Sequence, residues 1–199
     1  MKSTFSRHQC FQSDIYVGDY TQYVQEEGKN PFARGVVIAD QPLPQIDSLC
    51  FKNPNHVQTC AVNFEQYSAF FKPDGVNKVR NCEGVLVSEE GNAKRWLALV
   101  ELKYCKGEDT NIIANFNDAL DEIKKTFLYL RDHKQLFATQ SFRFYWVISI
   151  PAHSEKIPFS AFALTQDDLT EIKNKYGVSL ISDNIVTIWT GSILLMPRY

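Results

Sequence analysis

Features that mark several common protein classes are missing from this sequence. Residues 1–8 lack the apolar core of a signal peptide, and no later apolar run approaches the length of a membrane-spanning helix. No Cys-x-x-Cys pair occurs, and an odd number of cysteines, five, is typical of reduced thiols rather than of a disulfide framework. Repeats and low-complexity tracts are also absent. We therefore expect a soluble, cytoplasmic protein that makes no contact with a membrane.

Length and composition predict one folded domain. The 199 residues are 44% apolar and 22% charged, which is enough apolar material for a sizeable core. We interpret residues 1–60 as an N-terminal elaboration, 61–151 as the core, and 152–199 as a C-terminal extension of the same domain.

The most informative feature is a set of charges inside two apolar runs. Glu83 lies within residues 81–87, and Glu101 and Lys103 lie within residues 96–104, where most neighbours are apolar. Charged groups in strand-like segments are costly to desolvate unless they are paired or bind a metal. These three residues are therefore the best candidates for a functional site.

The spacing of these residues predicts that their side chains meet. Side chains alternate along a strand, so Glu101 and Lys103 share one face about 6.6 Å apart. If residues 79–87 and 95–104 form a hairpin whose loop is centred on Asn92, Glu83 lies directly opposite Glu101. A register shifted by half a residue turns Glu83 to the other face, so this pairing requires an odd number of loop residues.

Two neighbouring carboxylates indicate a cation site. They repel each other unless a cation lies between them, and Mg²⁺ prefers one or two carboxylates completed by water and phosphate oxygens. A metal lowers the pKa of its bound water and neutralises charge on a phosphate, while an ammonium group orients or stabilises the attacking group. The residue types therefore suit the hydrolysis of phosphodiester bonds.

An acidic residue, a hairpin and then Glu101-Leu102-Lys103 in an apolar strand resemble the PD-(D/E)xK nuclease superfamily. Four Glu-x-Lys tripeptides occur in the chain, but only this one ends an apolar strand with an acidic residue one strand earlier. The resemblance implies an α/β, restriction-endonuclease-like fold with an α-β-β-β-α-β core, in which helices flank a central mixed sheet. A C-terminal α-β-β extension would follow this core. The implied activity is that of a metal-dependent nuclease that acts on DNA or RNA.

The resemblance also implies roles for individual residues. Glu83, Glu101 and Lys103 would be catalytic, and Glu65 would be an auxiliary acid. The metal, Mg²⁺ or Mn²⁺, would be bound by Glu83, Glu101 and the backbone carbonyl of Leu102.

Nucleic acid is the partner that this activity implies. The net charge of −2 and a pI near 6.1 argue mildly against avid, non-specific binding to nucleic acid, which depends on neutralising phosphates. Lys78, Arg80 and Lys106 nevertheless flank the motif and are the candidate nucleic-acid-binding residues. A homodimer is left open.

Departures from the family pattern leave other interpretations open. Glu83 stands where the family usually has aspartate, no Pro-Asp dipeptide precedes it, and the helix after the motif lacks a Gln-x-x-x-Tyr pattern. One alternative is a catalytically silent, nuclease-like scaffold that binds nucleic acid or a protein. Another is a structural α/β protein in which Lys103 forms a buried ion pair with Glu83 or Glu101.

The cysteines raise the question of a zinc site. Cys50, His56 and Cys60 could supply three ligands and Cys82 a fourth, but their spacing matches no common zinc knuckle. We interpret the cysteines as buried free thiols.

Hydrophobic periodicity predicts the remaining elements. Apolar residues recur at three- and four-residue intervals from Ile112 to Leu130 and predict an amphipathic helix. The resemblance implies a helix before the first strand of the core, for which residues 63–71 are the candidate. The other predictions are a strand at 142–150, a helix at 166–176 capped by Thr165 and ended by Gly177, and strands at 178–181 and 185–189. Near the N-terminus we expect a helix or irregular segment at 16–27, a strand at 35–39 and a loop at 41–45.

Overall fold

Two β-sheets and a layer of helices form the protein in the computed structural model. The structure describes residues 5–21, 35–72, 80–89, 94–104, 112–137, 141–151 and 164–195. Among these residues, no helix is long and apolar enough to cross a membrane.

The larger sheet has six strands. Their spatial order is β1 (Gln9–Phe11), β5 (Thr59–Asn63), β6 (Gly84–Ser88), β7 (Arg95–Leu102), β8 (Phe142–Ser149) and β9 (Val178–Ser182). The second sheet has five strands, in the order β11 (Ile193–Leu195), β10 (Ile185–Thr190), β4 (Leu49–Lys52), β2 (Ile15–Asp19) and β3 (Val36–Ala39).

Helices connect the parallel strands of the larger sheet. Strands β5, β6 and β7 form an antiparallel meander, whereas β7, β8 and β9 run parallel to one another. Parallel neighbours require a crossover, which is usually helical. Helix α1 (Ile112–Leu128), prolonged by a π-helical turn at Tyr129–His133, lies between β7 and β8, and α2 (Gln166–Tyr176) lies between β8 and β9.

The two faces of the larger sheet bury different partners. Leu97 and Leu99 pack in a cluster with Phe116 and Ile123 of α1. Residues on the opposite face of β7, such as Ala98, pack in a second cluster with the five-stranded sheet. Both faces of β7 are thus covered, which explains why its sequence is almost continuously apolar. A charge inside this strand, Glu101, therefore lies in an environment that disfavours ionisation.

Most predicted elements around the motif are confirmed within two residues, but β6 begins at Gly84 rather than at residue 79. The α/β class, helix α1, strands β3, β6 to β10 and the loop at 41–45 occur as expected. Helix α2 has the predicted bounds, with a capping box between Thr165 and Asp168 at its start and a left-handed Gly177 at its end. The residues of the aromatic strand β8 contribute to the two cores.

Two predictions in the N-terminal half are wrong, and a second sheet was not predicted. Residues 15–19 form strand β2 rather than the start of a helix or irregular segment. The segment 63–71 is not an α-helix, because Asn63 ends β5 and only Phe64–Tyr67 form a short 3-10 helix. The second sheet was not expected at all; it joins strands from 15–52 with strands from 185–195. The division into elaboration, core and extension stays a prediction.

Two cysteines form a disulfide bond, contrary to the expectation of reduced thiols. Strand β1 pairs with β5 so that Cys10 lies directly opposite Cys60. The Cα atoms are 4.0 Å apart and the sulfur atoms are bonded. Cys50 and Cys82 are free and buried. The cytoplasmic location was predicted partly from reduced thiols, and the disulfide removes that argument. The location itself stays a prediction.

We expect the Cys10→Ser substitution to lower the free energy of unfolding by about 3 kcal/mol. The bond closes a loop between residues 50 positions apart, and such a loop restricts the unfolded chain. Urea unfolding with and without reductant measures the effect. Reduced wild type should unfold at the midpoint of Cys10→Ser, and reductant should not change that variant further. A wild-type midpoint that is insensitive to reductant would contradict the bond.

Candidate functional site

The predicted hairpin register is present. Gly84 lies opposite Val100 and Val85 opposite Leu99, so the pairing is centred on residue 92, although loop residues 90–93 lie outside the described part of the chain. Glu83 precedes β6 by one residue. Its backbone N–H donates to the carbonyl of Val100, and its carbonyl accepts a hydrogen bond from the N–H of Phe64. The backbone of Glu83 is therefore fixed beside the end of β7.

Gly84 permits this close approach of strands. A Cβ atom at residue 84 would lie 2.5 Å from the carbonyl oxygen of Val62, a backbone atom that has no freedom to move aside. Glycine lets β6 begin against β5 at this point. The residue next to Glu83 therefore contributes to its placement.

Glu101 and Lys103 form an ion pair at the end of β7. Glu101 is 1% exposed, and its Oε1 atom lies 2.6 Å from Nζ of Lys103. The backbone N–H of Lys103 donates to the carbonyl of Ser149, the last residue of β8. Leu102 is fully buried between the sheets, so only its backbone could contribute to a site.

A third acidic residue, Glu122 of α1, completes the pairing of Lys103. Its Oε2 atom accepts a hydrogen bond of 3.1 Å from Nζ of Lys103. Its Oε1 atom lies 3.6 Å from Nε of Arg80. Helix α1, which links β7 to β8, thus places a carboxylate beside Lys103 of the motif.

The carboxylate of Glu101 is short of hydrogen-bond donors. Among the described residues, Oε1 has one close polar contact, with Nζ of Lys103, and Oε2 has no hydrogen-bond partner. A buried carboxylate without donors is strongly unfavourable. This arrangement favours a ligand that brings either protons or positive charge to Glu101.

Burial and neighbouring charge favour the protonated forms of both glutamates. Burial and the carboxylate of Asp19 raise the pKa of Glu83 to about 8, against the opposing effect of Lys103. Burial and the carboxylate of Glu83 raise the pKa of Glu101 well above its usual value, again against Lys103. Burial alone would lower the pKa of Lys103, but Glu101 and Glu122 outweigh it and raise this pKa. The site therefore carries unbalanced negative potential.

Glu65, the predicted auxiliary acid, has a structural contact. Its Oε2 atom accepts a hydrogen bond of 2.8 Å from the N–H of Val36, where β3 begins. Gly35 has a φ of 111°, and a Cβ atom there would overlap the Glu65 carboxylate. Glu65 is nonetheless close enough to Glu83 to raise its pKa. It links the second sheet to the site, and a catalytic part for it stays a prediction.

Of the predicted nucleic-acid-binding residues, only Arg80 can be described. Its side chain is 65% exposed and lies at the rim of the site, beside Glu122. Lys78 and Lys106 lie outside the described residues.

Sequence reasoning missed Glu122 and Asp19. Glu122 occurs in another Glu-x-Lys tripeptide, Glu122-Ile123-Lys124, which lies in a helical pattern and does not end an apolar strand. A signal was present, since Glu122 lies between Ala119 and Thr126 at helical spacing, on the side of α1 that becomes buried. Asp19 ends β2 of the unexpected second sheet, so no local pattern pointed to it.

The metal-ligand groups are sparse. No group of three or more His, Cys, Asp or Glu side chains arranged to hold a metal ion occurs among the residues that the structure describes. Cys60 is bonded to Cys10 and cannot join Cys50, His56 and Cys82 in a zinc site. A hard cation that accepts two carboxylates and completes its shell with water remains compatible with Glu83 and Glu101.

Comparison with known proteins finds no significant match for this chain among protein-family models, curated proteins or solved structures. The resemblance to the PD-(D/E)xK superfamily therefore depends on the residues and the geometry of this chain alone.

Proposed function

We propose that this protein is a divalent-metal-dependent nuclease that hydrolyses phosphodiester bonds in DNA or RNA. The observation that carries the proposal is the carboxylate of Glu101, which is buried, has one oxygen, Oε2, without a hydrogen-bond partner among the described residues, and lies beside Glu83 and Lys103. A divalent cation would supply positive charge beyond that of Lys103 to the two neighbouring carboxylates.

The donor set fits Mg²⁺ or Mn²⁺ better than a softer metal. Glu83 and Glu101 offer carboxylate oxygens, and the carbonyl of Leu102, between Glu101 and Lys103, is the candidate for a third oxygen. Mg²⁺ commonly uses one or two protein carboxylates and keeps several waters. The lack of a larger ligand group among the described residues is therefore compatible with such an ion.

Each side chain has a defined task in the proposed reaction. When bound, the metal activates water and neutralises charge on the phosphate. Glu83 and Glu101 would hold it, and its positive charge would favour the ionised forms of their carboxylates. Lys103, with 17% of its side chain exposed, can donate a hydrogen bond from Nζ to the attacking water or to a phosphate oxygen. Arg80 is exposed at the rim, where it can contact the nucleic-acid backbone.

The connectivity around the motif supports the finer fold assignment. An antiparallel meander of β5, β6 and β7, a crossover through α1 and a parallel β8 follow the β-β-β-α-β order of a restriction-endonuclease-like core. A short 3-10 helix within the meander replaces the expected leading helix, and a second sheet covers the other face. We propose this core as a variant of that fold.

A catalytically silent scaffold is the second candidate, and one observation favours it. Nζ of Lys103 already lies against Glu101 and Glu122, so a closed network of ion pairs exists without any metal. A protein that uses this network only for structure would bind neither Mg²⁺ nor Mn²⁺ at Glu101.

A cleavage assay tests the proposed function. We expect the purified protein to cleave labelled single- or double-stranded DNA or RNA in Mg²⁺ or Mn²⁺, and a chelator to stop cleavage. Glu101→Gln should lower the rate at least about a hundredfold, since it removes a metal-binding charge. Glu171→Gln is the matched control, because Glu171-Ile172-Lys173 carries the same tripeptide spacing on helix α2. Equal activity in both variants, or residual cleavage in chelator, would contradict the proposal.

A further inference from the structure

The ammonium group of Lys103 lies between the carboxylates of Glu101 and Glu122. Nζ is 2.6 Å from Oε1 of Glu101 and 3.1 Å from Oε2 of Glu122. The contact with Glu122 is a hydrogen bond and that with Glu101 is a close ion pair, while Oε2 of Glu101 has no hydrogen-bond partner among the described residues. Glu122 is thus a second anionic partner of Lys103 beside Glu101.

The backbone of Glu122 is tied to the segment that carries Glu83. The carbonyl of Glu122 accepts a hydrogen bond of 2.8 Å from Oγ1 of Thr126. The same Oγ1 accepts a hydrogen bond of 2.8 Å from the N–H of Cys82, the residue before Glu83. One turn of α1 therefore fixes both Glu122 and the approach to β6, so the distance between Glu122 and the two candidate metal ligands is set by the fold.

A divalent cation and an ammonium group cannot share the Glu101 carboxylate without strong repulsion. At a few ångströms, two like charges in a partly buried site repel strongly, because little water screens them. If the cation takes Glu101, Lys103 must give up that contact and keep a negatively charged partner elsewhere. Glu122 offers this partner at hydrogen-bond distance, without a change of backbone.

We propose that Glu122 is a positioning residue that retains Lys103 when a divalent cation occupies Glu101. This inference rests on the proposed function, since it assigns a part in cation uptake to a residue outside the motif. In the absence of metal, Lys103 is the counter-ion of Glu101. In its presence, Glu122 holds the ammonium beside the cation, directed toward the place of the reacting phosphate.

A double-mutant cycle on Mn²⁺ affinity tests the proposal by calorimetry, with no substrate present. Glu122→Gln should weaken Mn²⁺ binding about tenfold, as is typical when a group that supports a metal site is removed. Lys103→Met should bind Mn²⁺ at least as tightly as wild type, because the competing ammonium is gone. In the Lys103→Met background, Glu122→Gln should then change the affinity less than about twofold.

The alternative is that Glu122 acts on the metal only through its charge at a distance. In that case Glu122→Gln would weaken binding by the same factor in both backgrounds, and the proposal would be overturned. Glu122→Asp gives a second test that needs no substitution at Lys103. It keeps the charge but withdraws the carboxylate from Nζ, so we expect a loss close to that of Glu122→Gln. An affinity of Glu122→Asp equal to that of wild type would also overturn the proposal.

Failure of this inference can be told apart from failure of the proposed function. If the double-mutant cycle gives the expected affinities but the protein cleaves no nucleic acid, the positioning role of Glu122 is supported and the proposed nuclease activity is contradicted. If the protein is an active nuclease but Glu122→Gln weakens Mn²⁺ binding by the same factor in both backgrounds, only the role of Glu122 is contradicted. Wild type that takes up no Mn²⁺ overturns both.

Discussion

Lys103→Ala is expected to lower cleavage about a thousandfold while leaving the fold intact at mildly acidic pH. The residue is the only cation that the described structure brings within hydrogen-bond distance of Glu101 and Glu122. Loss of a group that transfers protons or stabilises developing charge commonly costs about a hundredfold to ten-thousandfold in rate. The comparison is of kcat/KM on labelled substrate, with Lys173→Ala as the matched control from the tripeptide on α2.

The cost of Lys103→Ala in stability should depend on pH. Burial and Glu83 raise the pKa of Glu101, and Lys103 opposes this effect. Without Lys103 the carboxyl group therefore takes up a proton instead of remaining charged and unpaired. We expect the loss to be small near pH 6 and larger near pH 9, because keeping the carboxyl group protonated in the folded state costs more free energy the further the pH rises above the ordinary pKa of glutamate; breaking a buried ion pair outright typically costs about 3–5 kcal/mol.

Three outcomes separate the interpretations of the motif. A stable, inactive Lys103→Ala variant of an active wild type supports catalysis. A stable variant of a wild type that cleaves nothing, with any metal, supports the silent scaffold. A variant that loses 3–5 kcal/mol even near pH 6 identifies the ion pair as structural. Urea unfolding at the two pH values, together with the cleavage assay, distinguishes all three.

Local patterns accounted for the elements around the motif. Residues 95–102 form a continuous apolar strand, and 112–128 carry a clear helical period, so each is recognisable without knowledge of its neighbours. The hairpin register could also be predicted, since a loop centred on Asn92 leaves one pairing that joins Glu83 to Glu101. These elements are the ones whose partners lie close in sequence.

Features that depend on distant pairing could not be predicted. Strand β4 pairs with β10 in parallel, so that Cys50 lies beside Ile185, and no local signal links the two segments. The same holds for the disulfide, because the register of the three-residue strand β1 decides that Cys10 meets Cys60. Short strands carry little periodicity of their own, and tertiary packing selects them.

The charges around the site show the same division between local and distant information. Glu101 and Lys103 could be found because a charge in a buried strand requires an explanation. Glu122 resembled an ordinary polar residue of an amphipathic helix, and only the packing of α1 against β7 makes it the partner of Lys103. Asp19, at the end of a strand of the second sheet, raises the pKa of Glu83, and only the folded structure brings these two residues together.

The second large effect concerns Glu83→Gln, which is expected to stabilise the metal-free protein at high pH. The pKa of Glu83 is raised from its ordinary value of 4.5 to about 8 in the folded protein, by burial and by Asp19. Between these pH values the folded state keeps a proton that the unfolded chain has lost. Stability is therefore full below about pH 4.5 and is lost as the pH rises through about 8.

Glutamine removes this ionisation, so the variant should lie within about 1 kcal/mol of wild type near pH 5 and exceed its free energy of unfolding by up to about 5 kcal/mol near pH 9. Mn²⁺ should raise the wild-type melting temperature at pH 9, because it binds the ionised site of the native state, but should leave Glu83→Gln almost unchanged. The exposed Glu171→Gln control should follow wild type in both respects. A Glu83→Gln protein that is less stable than wild type at pH 9, with an undiminished response to Mn²⁺, would show that Glu83 stabilises the fold as a charged partner of Lys103 and does not bind metal.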